Sequence, residues 1–257
     1  MKISSWNVNS IRIRQDQVTD WLRAAAPDVL CLQETKVVDD DFPIEAFSRL
    51  GYSVAFAGQK SYNGVAILSR TGLSAQKVGL DDDPPDADRR LLRARVGDLW
   101  VLSAYVPNGK SVASDAFPFK LEWLARLQRV IEALHAQGDR VVLVGDFNVA
   151  MDERDVHDPK AYEGKLLFHP DERAAMSRLL SGGKLADSLR LHETSGGHFS
   201  WWDYRNGSRP HHRGLRIDYA FISESLVPRC RAAGIDVAER WKERPSDHTP
   251  VWLELDL

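Results

Sequence analysis

Short apolar runs alternate along the chain with segments of helical periodicity, and this alternation is the strongest constraint on the fold. Lys2–Val8, Asp28–Leu32, Tyr52–Phe56, Gly64–Leu68, Leu91–Val96, Leu99–Val106 and Arg140–Val144 read as strands, followed late in the chain by Arg216–Ile222 and Pro250–Leu255. Between them, Gln15–Ala25 predicts a helix with Val18, Trp21 and Leu22 on one face. Phe117–Ala136 predicts a longer one. There Phe117, Leu121, Leu124, Leu127, Ile131 and Leu134 recur at three- and four-residue steps, and Gly138 ends it. Asp171–Ser181 predicts a third, closed by Gly182 and Gly183. Interleaved strands and helices imply an α/β protein, and the late strands call for a second sheet with antiparallel pairing. No Gly/Ser linker or tandem repeat interrupts the pattern. The 257 residues are expected to form one domain with a sizeable core.

Composition narrows the class. Hydrophobic content of 43% and charged content of 28% suit a soluble globular protein and exclude disorder or a collagen-like chain. No apolar run approaches the roughly 20 residues that span a bilayer, and the N-terminus MKISSWNVNSIRIR lacks the apolar stretch of a secretory signal. Cys31 and Cys230 cannot build a disulfide framework. Cys31 lies inside an apolar run and reads as a buried thiol, in keeping with a reducing cytoplasm. A net charge of −3 argues against coating nucleic acid by charge alone but permits a local basic patch. The Asp81–Asp88 stretch reads as a solvated loop.

The polar residues fall at meaningful places. Asn7 lies at the end of the first strand and Glu34 just past the run ending at Leu32. Tyr105 ends its strand, and Asp146 and Asn148 follow Val144 across Gly145. Asp218 and the pair Asp247–His248 stand just before or at the start of late strands. If those strands run antiparallel to the early ones, all these groups meet at one edge, where open sheets commonly place their sites. Each residue alone has a structural reading: a turn aspartate, an asparagine satisfying backbone, a structural histidine. Jointly, crowded carboxylates raise one another's pKa, a cost that a bound cation removes. Oxygen ligands suit Mg²⁺ or Mn²⁺, and the lack of a Cys/His cluster argues against structural zinc. This pattern points to metal-dependent phosphoryl chemistry.

At the same residues the chain resembles a known family. SWNVNSIR (5–12), LQETK (32–36), YVPNG (105–109), GDFNVA (145–150), FSWWDYR (199–205), RGLRIDYAFIS (213–223) and SDHTPV (246–251) appear in order and span nearly the whole chain. They resemble the exonuclease III family of apurinic/apyrimidinic endonucleases, within the endonuclease/exonuclease/phosphatase superfamily that includes DNase I. GDFN and SDH are shared across that superfamily, whereas WWDYR, RGLRIDY and YVPNG together mark its DNA-repair branch. The resemblance implies a four-layer α/β sandwich, two mixed sheets flanked by helices, and a minimal microbial form made of the catalytic domain alone. It implies Glu34 as the principal Mg²⁺ ligand, assisted by Asn7 and Asp247. Asp146 would activate the attacking water and Asn148 would help hold it. His248 would bind a non-bridging phosphate oxygen, with Asp218 fixing and charging the imidazole. Tyr105 would serve the phosphate or the leaving group. In a two-metal variant Asp146, Asn148 and His248 also become ligands. The implied reaction is cleavage of the phosphodiester 5′ to an abasic site in duplex DNA. It leaves a 3′-OH and a 5′-deoxyribose phosphate, with 3′→5′ exonuclease and 3′-phosphatase activity beside it.

Between Arg205 and Arg216 the chain reads RNGSRPHHRGLR, four arginines and two histidines without an acid. It reads as a solvated basic loop or as one that grips phosphates, with Arg209 and Arg213 as contacts. In the family, residues at the positions of Trp201, Leu215 and Ile217 line a pocket for a flipped, baseless sugar. Leu215 stands where the family often has Trp, which predicts a wider pocket and relaxed selectivity. Strand alternation allows only one of Trp201 and Trp202 to be core. Lys36, Asn108 and Lys110 are further candidate contacts, and Lys120 reads as either a contact or a surface lysine. The expected partner is double-stranded DNA with abasic or blocked 3′ ends, met by a cytoplasmic monomer acting at the nucleoid, with no membrane. Two alternatives remain at this point. A phosphatase on inositol phosphates or phospholipids would have no use for the basic loop. A non-catalytic DNA-damage binder would have no use for the intact acidic set.

Overall fold

A computed structural model describes residues 1–205 and 207–257; Asn206, within the basic loop, lies outside the described residues. The strands are β1 (Lys2–Asn7), β2 (Val29–Gln33), β3 (Ser53–Ala57), β4 (Val65–Ser69), β5 (Ser74–Val78), β6 (Leu91–Val96), β7 (Leu99–Tyr105), β8 (Arg140–Asp146), β9 (Leu185–Asp187), β10 (Asp218–Ser223), β11 (Cys230–Ile235) and β12 (Val251–Leu255). The α-helices are α1 (Ile11–Ala25), α2 (Ile44–Ser48), α3 (Ala116–Ala136), α4 (Pro159–Tyr162) and α5 (Pro170–Gly182). One sheet runs β11-β12-β1-β2-β4-β3 and the other β5-β6-β7-β8-β10-β9. Two pairs are parallel, β1 with β2 and β7 with β8, and each is joined by a crossover helix, α1 and α3 respectively. The other ladders are antiparallel, so the late strands pair as expected, β10 on β8 and β12 on β1.

The sheets pack face to face. Ile3, Val29, Cys31 and Ile67 of the first sheet meet Leu92, Val101, Val142, Val144 and Ile222 of the second. The outer face of the first sheet carries α1 through Val18, Trp21 and Leu22 against Trp6, Leu30 and Leu32. The outer face of the second carries α3 and α5 through Leu124, Leu127, Ile131, Met176 and Leu179. Central strands covered on both sides need apolar side chains at every position, which is why their sequences read as unbroken runs. The result is the four-layer α/β sandwich. Among the described residues no helix is long and apolar enough to cross a membrane.

Three strands escape the apolar-run reading. Ser74–Val78 is an edge strand exposed along its whole length, Leu185–Asp187 is very short, and Cys230–Ile235 carries small and polar residues. The first helix starts at Ile11 rather than Gln15, because Arg14 is buried on its inner face and breaks the apolar pattern. Cys31 is fully buried, and burial pushes its thiol pKa upward. The Asp81–Asp88 loop is exposed but tethered: Arg93 binds Asp81, and Arg126 takes both Asp82 and Asp83.

Candidate active site

Strand register brings the acids together. Tyr105 stands beside Asp146 across β7 and β8, and Asp146 stands beside Asp218 across β8 and β10. In the other sheet Asn7 pairs with Gln33, the residue before Glu34. Asn7 Nδ2 closes the gap between sheets, donating to Glu34 Oε1 and Asp146 Oδ2 at 2.8 Å each, while its oxygen accepts from Asn9 N. The close approach of β7 and β8 requires a glycine beside Asp146, since a Cβ on Gly145 would sit 1.9 Å from the Ala104 carbonyl oxygen. Glu34 and Asn148 both hold left-handed backbone, at φ 51° and 52°. That conformation is uncommon for non-glycine residues and is sustained only where surrounding bonds impose it.

Around Asn148 those bonds are explicit. Its N–H donates to Asp146 Oδ1 at 2.9 Å, its Nδ2 donates to Val106 O at 3.0 Å, and its Oδ1 accepts from Asn108 Nδ2 at 2.9 Å. Lys120 holds the loop from beneath. Its Nζ donates to Asn148 O at 2.6 Å and Asn108 O at 3.2 Å, and it pairs with Glu172. Both charged side chains are fully buried. Lys120 is therefore neither a surface lysine nor a DNA contact. Its signal was present in the sequence, because residue 120 falls on the apolar stripe of α3 between Phe117 and Leu124.

His248 Nδ1 donates to Asp218 Oδ2 at 2.8 Å, and the same oxygen accepts from Ser200 Oγ at 2.7 Å. On the other side of the ring, Nε2 faces Asp146 Oδ2 at 3.7 Å. Burial alone would lower the imidazole pKa, but Asp218 and then Asp146 outweigh it and hold it at about 10. Burial, with the charges of Asp218 and Glu34, raises Asp146 to about 7 against the pull of His248. Burial, then Glu34 and Asp146, keep the Tyr105 phenol protonated far into the alkaline range. Ser200 was not singled out in the sequence. It sits one residue from Trp201, and backbone bridges of Trp201 to Leu215 and His248 carry it under Asp218.

Glu34, Asp146 and His248 bring one ligand atom each to within 4.8 Å of one another, a cluster able to hold a metal ion. Two of its three donors are carboxylates, which suits a hard divalent cation. Glu34 Oε2 here pairs with Lys36 Nζ at 2.7 Å, and Lys36 also donates to Asn9 Oδ1 at 2.6 Å. Asp247 stands outside that cluster, its two oxygens accepting from Asn9 Nδ2 at 2.9 Å and Trp201 Nε1 at 3.0 Å.

The expected DNA contacts divide. Lys110, Arg205 and Arg213 are exposed, and Asn108 is exposed beside Asn148. Arg209 stacks over Trp241 with its Cζ 4.8 Å from the ring centroid and donates to Arg240 O. Arg216 does not belong to a phosphate grip, being buried against Asp155 and Asp187. Of the two tryptophans, Trp202 is core and Trp201 half-buried, as alternation required. Leu215 and Ile217 lie in one apolar cluster, with Trp201 packed against it. They are 0% and 1% exposed, packed with Ala150, Val156 and Phe168, and Leu215 bridges the backbone of both Trp201 and Val156. Of the three expected walls, only Trp201 keeps an accessible surface.

The chain belongs to the endonuclease/exonuclease/phosphatase family, which it matches over residues 4–248. It is 38% identical to exodeoxyribonuclease III of Haemophilus influenzae over 266 residues, covering 99% of each chain. Two solved structures are similar throughout, each at 37% identity and covering 100% of both chains. They are the 3′ phosphatase NExo from Neisseria bound to a product DNA hairpin, at a TM-score of 0.97, and an AP endonuclease from Archaeoglobus fulgidus, at 0.93.

Proposed function

We propose that this chain is a Mg²⁺-dependent DNA repair nuclease that hydrolyses the phosphodiester 5′ to abasic sites in duplex DNA, with 3′→5′ exonuclease and 3′-phosphatase activity. The observation that carries this reading is the His248–Asp218 couple facing Asp146 beside Glu34 at the junction of the two sheets. Asp146 orients the attacking water and takes its proton, a role that suits a carboxylate held near neutrality. His248, cationic through Asp218, donates from Nε2 to a non-bridging phosphate oxygen, where negative charge develops. The protonated Tyr105 phenol serves the phosphate or the departing 3′ oxygen. Asn148, fixed through Lys120, holds the water. Glu34 and Asp146, with Asn7 bridging them, would hold Mg²⁺, which when bound supplies Lewis-acid polarisation of the phosphate. The water oxygen joins phosphorus and the bond to the 3′ oxygen breaks, which yields a 3′-OH and a 5′-deoxyribose phosphate.

Exposed Arg205, Arg213 and Lys110 serve the duplex backbone, and Trp201 faces the sugar at the cleavage point. Because the two sheets each supply part of the site, residues 1–257 act as one catalytic domain, a monomer in the cytoplasm without membrane contact. Labelled abasic, nicked and 3′-phosphate duplexes incubated with Mg²⁺ or EDTA test the activity, with an inositol phosphate as control. Mg²⁺-dependent incision of the abasic duplex is expected. Turnover of the inositol phosphate alone would assign the chain to another branch of the family.

A further inference from the structure

Behind the basic loop lies a cavity of about 370 Å³ between the start of α1 and the segment before β12. Arg14, Arg209, Arg240 and Arg244 line it, with Tyr204 and Asp203. None of these four arginines makes an ion pair among the described residues, in contrast to Arg93, Arg126, Arg190 and Arg216 elsewhere in the chain. Arg14 and Arg240 are nonetheless 9% and 3% exposed. Their guanidiniums reach only neutral groups. Arg14 donates to Asn9 O, to Tyr204 Oη at 2.9 Å and to Pro245 O at 3.2 Å, and Arg240 donates to Trp202 O at 3.1 Å. The Nε of each is buried without a partner. Asp203 is the single carboxylate in the described lining, and one of its oxygens is taken by Arg205 N. Burial lowers the Arg240 pKa; Tyr204 and Asp247 oppose that shift, and the Arg209 and Arg14 charges add to it.

Buried like charges without a counter-ion are costly, and a site that keeps them is arranged for an anion. Guanidinium forks match phosphate oxygens in geometry as well as charge. We infer that this cavity seats one phosphate group, gripped by Arg14, Arg209, Arg240 and Arg244. Its place in the molecule favours a backbone phosphate of the DNA over a free ion. Arg14 is bonded to Asn9, whose side chain holds both Asp247 and Lys36, so the cavity adjoins the cleavage site. A phosphate of the bound duplex would thus be fixed at a set distance from the one being cut. The choice of DNA as source rests on the nuclease reading, whereas the phosphate site itself does not.

Arg244→Gln and Arg244→Glu test the site with little risk to folding, because Arg244 is exposed. Two measurements are made on the metal-free full chain. One is the thermal midpoint with inorganic phosphate against chloride at constant ionic strength. The other is duplex affinity against salt. Phosphate is expected to raise the wild-type midpoint and to leave both variants unmoved. Each phosphate neutralised adds about 0.9 to the slope of log affinity against log salt. A slope lower by about that amount in Arg244→Gln identifies the DNA backbone as the source. A lost phosphate response with an unchanged slope identifies free phosphate instead. Equal phosphate response and equal slope in wild type and both variants would overturn the site. Failure of the wild type to incise abasic DNA would sink the nuclease reading alone, since the midpoint measurement needs no DNA.

Discussion

Asp218→Asn removes the charge behind His248 and little else. The amide is isosteric, and its oxygen can still accept from His248 Nδ1 and Ser200 Oγ, the two bonds now made by Oδ2. The carboxylate's main contribution is to hold the imidazole cationic at about 10 against its burial. Without that charge the imidazole returns toward, or below, the ordinary value of about 6.5. At about pH 7.5 the wild-type ring is almost wholly protonated, while a ring with an ordinary pKa is cationic in only about one molecule in ten. Population alone therefore lowers the rate about tenfold at that pH and about a hundredfold one pH unit higher. Weaker donation from Nε2 in the transition state adds to this, since losing one such donor costs about 10²–10³ in rate. Single-turnover cleavage of an abasic duplex, with enzyme in excess and across the pH range, measures both effects. The wild type should rise through about pH 7 as Asp146 deprotonates and then stay flat toward about pH 10. Raising Mg²⁺ should shift that rise to lower pH, because a nearby cation favours the carboxylate. Asp218→Asn should instead fall as pH rises above the ordinary histidine range. A variant slowed equally at every pH would refute the cationic role and leave Asp218 as a positioning group. A variant with wild-type rate would refute both.

Glu34→Gln should keep the fold and raise the Mg²⁺ concentration needed for half-maximal cleavage; wild-type activity at low Mg²⁺ would remove Glu34 from the metal site. Lys120→Met strands the Glu172 carboxylate in the core and should cost about 3–5 kcal/mol in urea unfolding. Adding Glu172→Gln should recover much of that loss, and a single variant within about 1 kcal/mol of wild type would contradict a buried pair. Leu215→Trp should overpack the cluster with Phe168 and lower stability by about 1–3 kcal/mol without sharpening abasic selectivity. A stable, more selective protein would show instead that the side chain lines a pocket. Trp201→Ala should narrow the ratio of abasic to undamaged cleavage, read on paired substrates; a destabilised variant that keeps its ratio would make Trp201 a packing residue.

Much of the fold and of the polar edge of its sheets is legible in the sequence. Val142 and Val144 face the other sheet while Val141 and Leu143 face α3, so β8 had to be apolar throughout. Any polar residue at its end had to emerge at the rim, which is how Asp146 announces itself. Asn7, Glu34 and Tyr105 follow the same logic, and the order of motifs carried the family. What the sequence could not report depends on partners far along the chain. Lys120, on the apolar stripe of α3, could be placed inward from the sequence, but its partner Glu172, 52 residues away, could not. Leu215 and Ile217 flank a basic loop in sequence, yet both are buried against Ala150, Val156 and Phe168 from distant segments. Arg14, left outside the expected helix, is buried and donates to the carbonyl of Pro245, 231 residues on. Periodicity tells which way a side chain points from its own strand or helix. Whether it then meets solvent, an opposite charge or an unpaired guanidinium is decided only when distant segments close over it.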